Sequence, residues 1–374
     1  MAHAFTPGLK VSRKAVIYKE RRLPLKGEVV CKVGDRVKAD DIVAKTQIPG
    51  DVETLNIAGR LGVSPEDVKE YLKFNIGDKI KKDETIAMTN GIFGYFKTII
   101  KSPITGSIEN ISEITGQMIL RYPPKPIQID AYVDGEVTEI IENEGVIIKT
   151  QGTFVQGIFG IGGEVRGEMK MAAKSNDAII AVDDITPDCS GKILVAGSFI
   201  DENLLKKAVT VGVKGIIVGG IDDRDLKKFL GYDIGVAITG SEKKGITVVI
   251  TEGFGKMNMA EKTYNTLKEK EGQIASINGA TQIRAGVLRP EVIIPDFNLK
   301  NEELKSVDSS SGIQIGNIVR IIRSPYFGLI GKVTNLPPEL LKIETEANVR
   351  VLEVELKSGE KVILPRANIE LIEG

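Results

Sequence analysis

The sequence predicts a multidomain protein of β plus α/β class, and three observations carry that prediction. A turn-and-strand motif occurs twice near the amino end, 43 residues apart. Continuous apolar runs alternate with amphipathic helical stretches from Asp177 to Gly272. After a serine-rich joint, Asp308 to Gly312, five short strands of alternating polarity fill the carboxyl end, which implies a small barrel. The expected modules are residues 1–125, with a helical insertion near 52–73; residues 126–307, a β meander followed by an acidic α/β domain with a partly parallel sheet; and residues 313–374.

Composition removes much common enzymology. The only histidine among 374 residues is His3, and the two cysteines, Cys31 and Cys189, lie 158 positions apart. A Ser-His-Asp or Cys-His engine, a multi-histidine zinc site and a four-cysteine cluster all need ligands this chain lacks. No apolar stretch approaches a membrane span and the start lacks the apolar core of a signal peptide, so the expectation is a cytoplasmic protein without membrane insertion. Charge is uneven. Residues 1–130 carry five more basic than acidic side chains, residues 131–312 six more acidic than basic, and the last module is neutral. A basic front thus faces an acidic middle, which suits contact between domains at least as well as an anionic partner.

The opening arm carries Lys10, Arg13, Lys14, Lys19, Arg21, Arg22 and Lys26 against Glu20 alone. It reads as an edge strand whose charges discourage foreign pairing, with RNA or an acidic protein as the alternative contact. The repeat follows. Val33–Ala44 is VGDRVKADDIVA and Ile76–Ala87 is IGDKIKKDETIA, with five identical and five conservatively exchanged positions of twelve. Gly-Asp makes a tight turn into a short strand. Related fragments flank the copies, PLKGEVV from Pro24 and SPITGSI from Ser102. Between the copies, Ser64, Pro65 and Asp67 start a helix that with residues 57–62 imitates a helix-turn-helix, but its acids Glu66, Asp67 and Glu70 suit a cap on the barrel better than a DNA contact.

This arrangement resembles the barrel-sandwich hybrid of biotinyl and lipoyl carrier domains, and most closely the version at the amino end of the C subunit of Rnf-type ferredoxin oxidoreductases, over roughly residues 5–125. The resemblance implies a flattened sandwich of two similar halves. It does not bring a carrier lysine, because Lys97 and Lys101 do not align with one, nor the cysteine-rich cluster motifs, so no cofactor is expected.

Tyr122-Pro-Pro-Lys-Pro126 marks a boundary. Beyond it, residues 127–150 read as a small β meander, and Gly157–Gly163 as a bulged or closely packed glycine-rich strand, not a nucleotide loop. The following α/β unit is drawn from DAIIAVDD, GKILVAGS, ENLLKKAVTVG, GIIVGG, DRDLKKFL, GVAITGS, ITVVITEG and MAEKTYNTLKEKEG. Ligands of open α/β sheets gather beyond the carboxyl ends of strands. There the sequence places Gly219, Gly220, Asp222 and Arg224, then Thr239, Gly240 and Ser241, then Glu252, Gly253 and Lys256. Small residues expose backbone N–H groups, Arg224 and Lys256 could neutralise an anion, and the acids could hold hydrated magnesium. The bland alternative is ordinary turn chemistry. No nucleophile stands beside an evident base, so no catalytic residue and no metal ligand set is assigned. Arg284 and Arg289, set among apolar residues, either pair with acids of the same domain or contact an anion.

In the last module Gly316, Val319, Pro325-Tyr326-Phe327-Gly328, Gly331 and Val333 resemble the KOW motif of Nus-type elongation factors and several ribosomal proteins. That resemblance implies an SH3-like barrel with Arg320, Arg323, Tyr326, Phe327 and Lys332 on a contact surface. Two recurrent docking modules without a catalytic constellation point to an adaptor or scaffold with a protein partner. The alternatives are an RNA- or ribosome-associated factor acting through the barrel, and an accessory domain binding a small anionic ligand in the α/β core.

Overall fold

The computed structural model describes residues 9–89, 97–232, 240, 242–281, 288–298, 305–306, 315–321, 326, 329–337, 340–342, 348–356 and 358–373. Strands hold 47% of the chain and helices 15%, in a large mixed sheet and a curled half-barrel sheet, so strand pairing sets the architecture.

The amino-terminal half runs β1 (Leu9–Arg22), β2 (Glu28–Val29), β3 (Arg36–Val37), β4 (Ile42–Ile48), β5 (Val52–Asn56), α1 (Ile57–Leu61), a 3-10 turn (Pro65–Tyr71), β6 (Lys79–Ile80), β7 (Thr85–Met88), β8 (Ile99–Lys101), β9 (Gly106–Ile111), β10 (Gln117–Arg121), β11 (Lys125–Asp130), β12 (Gly135–Ile141) and β13 (Gly145–Gln156). The repeat is a structural one. Gly34 and Gly77 both take φ above +90°, which a side chain would resist. Asp35 and Asp78 each accept a hydrogen bond from the backbone N–H three residues earlier, at 2.8 and 2.7 Å. The strands that follow bury Val43 and Ala44 in one copy, Ile86 and Ala87 in the other.

The duplication reaches further than the motif. β3 pairs with β12, Arg36 opposite Glu136, as β6 pairs with β9, Lys79 opposite Ser107. β12 then pairs with β13, Glu136 opposite Lys149, as β9 pairs with β10, Ser107 opposite Arg121. β13 pairs with β1, and β10 with β5. Gly34 donates to Val137 O and Gly77 to Ile108 O, at 2.8 and 2.7 Å. The second copy, residues 52–121, is therefore inserted whole between β4 and β11 of the first, and those two strands pair antiparallel with Ile48 opposite Lys125. It encloses its own core, including Ile57, Ile80, Ile108, Met118 and Leu120, capped by Ile57, Ala58, Leu61 and Val68 of the helical insertion.

Two expectations change here. The strand completing the first copy is β12, from Ala131-Tyr-Val-Asp-Gly-Glu-Val, which occupies the place of SPITGSI; PLKGEVV supplies only β2, beside β4. The meander likewise divides, because β12 and β13 form a hairpin whereas β11 crosses the expected boundary at 125/126 to pair with β4. In the arm, β1 lies against β13 from Val11 to Arg22 and meets other strands only at Ala15–Val16 and Leu9–Lys10, so among the described residues most of its second side stays an edge. Its alternating Ala15 and Ile17 are buried, which a ten-pair register rewards.

The α/β unit comprises β14 (Phe159–Ile161), β15 (Glu164–Met171), β16 (Ile193–Val195), β17 (Phe199–Ile200), α2 (Glu202–Val211), β18 (Gly215–Ile221), α3 (Asp223–Leu230), β19 (Thr247–Phe254), α4 (Glu261–Lys268), β20 (Ile274–Asn278) and β21 (Glu291–Pro295). β15, β16, β18 and β19 are mutually parallel, with antiparallel β14 beside β19 and antiparallel β20 beside β15. α2 begins where Asp201 accepts from Leu204 N and ends at left-handed Gly212, burying Leu204, Leu205 and Ala208. DAIIAVDD is not a strand: Ile179 makes isolated bridges and Val182–Asp184 is a 3-10 turn. GVAITGS falls at 235–241, of which only Gly240 is described.

The carboxyl-terminal part adds β22 (Lys305–Ser306), β23 (Ile318–Ile321), β24 (Ile330–Asn335), β25 (Leu340–Lys342), β26 (Asn348–Leu356), β27 (Lys361–Pro365) and β28 (Ile369–Glu373). Antiparallel pairing in the order β27-β26-β24-β23-β28 closes over Val319, Val333, Leu352, Val354 and Ile369. β28 continues onto β1.

Candidate functional site

The strand ends of the α/β unit hold the residues that sequence reasoning gathered, and most are engaged by the chain itself. A Cβ at Gly219 would stand 2.2 Å from Met257 O, and one at Gly220 2.1 Å from Gly255 O. The loop after β19 thus lies directly on these glycines, where a ligand's phosphate would rest. Gly253 and Gly255, with φ of +144° and +93°, give that loop its path. Asp222 accepts from Arg224 N at 2.9 Å as the cap of α3, and Arg224 is exposed. Gly240 N donates at 2.7 Å to Glu242, which also accepts from Gly162 N at 2.9 Å. A carboxylate of the chain therefore fills the role an anion would have beside the glycine-rich β14. Lys256 stands over the Phe199 ring, 5.7 Å from its centre. Thr239 and Ser241 lie outside the described residues.

Glu252 joins the two predicted sites. It accepts from Ala260 N at 2.9 Å and forms an ion pair with Arg320 of β23. Glu252 is 5% and Arg320 7% exposed. One residue assigned to ligand binding and one assigned to partner contact thus meet each other, in a buried pair between the α/β unit and the last module, while Arg320 Nη1 has no hydrogen-bond partner. Tyr326 packs against the core of the last module, and Lys332 is exposed on β24. Arg323, Phe327 and Arg284 lie outside the described residues.

The basic arm also turns inward. Arg13 pairs with Glu269, Lys19 with Glu291 and Arg22 with Glu144. Arg21 grips Glu164 in a two-pronged contact at 2.6 and 2.8 Å and reaches Asp130. Burial opposes the Arg21 charge, but the Glu164 hydrogen bond and nearby carboxylates outweigh it, and its pKa is raised. Both Lys19 and Arg21 stand over the ring of Tyr132, at 5.7 and 5.2 Å. Tyr132 sits at φ +65°, with Val133 N donating to Ala131 O across it, a γ-turn. Its buried hydroxyl has no partner, and burial, then the charges of Glu291 and Glu164, push its pKa well above the ordinary value.

A second concavity, about 690 Å³, opens beside β3, the start of β12 and the middle of β13 and is lined by Arg36, Lys38, Glu136, Lys149, Thr150 and Phe297 among others. Sequence reasoning missed it. Of its lining only Arg36, Val37 and Lys38 lie in the repeat; Lys149 arrives through strand pairing distant in sequence and Phe297 from just beyond β21. Among the described residues, no group of three His, Cys, Asp or Glu side chains is placed to hold a metal ion, and no helix is long and apolar enough to cross a membrane. No protein-family model matches the chain, and no curated protein matches it either.

Proposed function

We propose that the chain is a non-catalytic adaptor that binds a macromolecular partner, and that this partner is a protein. The observation that carries the reading is the internal neutralisation of its cations. Arg13, Lys19, Arg21, Arg22 and Arg320, five of the side chains an RNA contact would draw on, are ion-paired with the chain's own carboxylates. Nucleic-acid affinity comes largely from cations free to replace the counterions of phosphates. The same turn in both copies meanwhile holds an aliphatic side chain out in water, Val33 at 61% and Ile76 at 54% exposure. In this reading the duplicated unit is a carrier-type barrel-sandwich shape used for docking, and the last module is a KOW-type SH3-like barrel that meets the α/β unit through Arg320.

Affinity purification from the native source tests it. A stoichiometric protein partner that survives ribonuclease, and is weakened by Val33→Lys or Ile76→Lys, is the expected result. Ribonuclease-sensitive recovery of RNA, steeply weakened by salt and by Lys332→Glu, would overturn the reading in favour of an RNA- or ribosome-associated factor.

A further inference from the structure

The duplication allows one copy to be read against the other, and it exposes a difference in charge balance. Arg36, Lys38 and Lys149 of the first copy occupy the positions of Lys79, Lys81 and Arg121 in the second. In the second copy Arg121 is neutralised by Glu109 and also donates to Gly50 O at 2.8 Å. The position of Glu109 in the first copy is held by Thr138, whose hydroxyl donates to Ile147 O. Lys149 therefore loses that acid and stands instead opposite Glu136, where the second copy has Ser107. Among the described residues Arg36, Lys38 and Lys149 form no ion pair.

These three cations line the 690 Å³ cleft, a volume within the range of about 300–1,000 Å³ common for small-molecule sites. Two acids share it. Asp134 is held by Arg166 and by Ala39 N, and Glu136 stands in cross-strand register between Arg36 and Lys149. One further feature points to an organic ligand. Phe297 forms one wall with 56% of its surface in water, a flat apolar face beside the charges.

We propose that this cleft binds an organic phosphate carrying a flat ring, of which a nucleoside monophosphate is the simplest form. The phosphate lies among Arg36, Lys38 and Lys149, and the ring stacks on Phe297. This goes beyond adaptor binding and uses none of the residues that support it.

Calorimetric titration of the full chain with adenosine 5′-monophosphate, inorganic phosphate and adenosine tests the proposal. Saturable one-to-one binding of the monophosphate, tighter than either fragment, is expected. Lys149→Glu and Arg36→Glu each weaken it by about tenfold or more, the scale of one lost charged hydrogen bond. Lys149→Met, which keeps most of the side chain, weakens it with an unchanged melting temperature, and Phe297→Ala weakens the monophosphate while leaving inorganic phosphate unaffected. Lys79→Glu, the counterpart in the closed copy, leaves binding unchanged. Absence of saturable binding, equal losses from Lys79→Glu and Lys149→Glu, monophosphate binding no tighter than inorganic phosphate, or tighter binding of an oligoribonucleotide would each overturn it.

Discussion

The two copies of the duplicated unit follow one hydrogen-bonding plan and live in different surroundings. Turn, strand and hairpin match residue by residue, from Asp35 and Asp78 at the turns to Ala39 N on Asp134 Oδ1 and Lys82 N on Thr105 Oγ1. The second copy closes on itself, since every side chain of its buried cluster comes from residues 55–120. The first copy shares its core with β1 and with Ile293 of β21, and so belongs to the large sheet. Where the second copy has Pro103, with its fixed φ, the first has Tyr132 at φ +65° between two cations. The comparison teaches that the hydrogen-bonding plan is separable from what the copy is used for: the copy joined to the rest of the molecule carries the buried ions, the strained turn and the open cleft.

Core truncation tests this separation most severely. Leu120→Ala and Ile148→Ala remove equivalent, fully buried side chains, and each should cost about 2–5 kcal/mol. Hydrogen exchange should show the first loss confined to residues 52–121 and the second spreading through β1, β13 and β21. Loss of protection throughout the chain in Leu120→Ala would break the claim that the inserted copy is self-contained. The turns come next. Asp35→Ala and Asp78→Ala delete the same hydrogen bond and should each destabilise by about 1 kcal/mol in denaturant titrations. Unequal losses would show that the turns differ in strain.

Smaller still is Tyr132→Phe. It removes a buried hydroxyl without a partner and keeps the ring under Lys19 and Arg21, so stability should be unchanged or slightly increased. A loss above about 1 kcal/mol would mean that the hydroxyl is satisfied in solution. The least effect is electrostatic and belongs to the second copy alone. The Lys69 hydrogen bond and then its charge hold the exposed Glu113 carboxyl below its ordinary value. A carboxyl depressed in the folded state adds stability above its unfolded pKa, and that contribution is lost as pH falls through the folded value. By NMR titration Glu113 should titrate below the usual glutamate range, and Lys69→Met should return it to that range; no change in Lys69→Met would remove the pair as the cause.

Legibility in the sequence followed the range of the interactions. The Gly-Asp turns are local and were readable from twelve residues, as were α2, α3 and α4, whose apolar spacing is contained in each helix. The parallel β16, β18 and β19 were readable as apolar runs, whereas β15, EVRGEMKM, is charged at every second position and was not, and the apolar DAIIAVDD makes only isolated bridges at Ile179. The hairpin completing the first copy was not readable, because β12 joins β3 across roughly a hundred residues and PLKGEVV imitates it nearby. Gly219, Gly220, Glu252 and Gly253 lie in the last residues of β18 and β19, and sequence does not reveal that the chain's own loop lies on Gly219 and Gly220, or that Arg320 reaches Glu252. The excess of base in front and acid behind was legible as contact between regions, and Arg21 on Glu164 and Lys19 on Glu291 are its outcome.

The paired strands β4 and β11, with Ile48 opposite Lys125, also bear on the order of folding. Zipping these strands across an unfolded insertion means closing a loop of some 75 residues, about 3 kcal/mol dearer in chain entropy than closing a two-residue turn. Once the inserted copy has folded, β5 and β10 lie side by side, with Val52 opposite Arg121, and its two ends emerge together. The inserted copy then acts as a ready-made turn, and chain entropy favours the order in which it folds first and the outer copy is completed second.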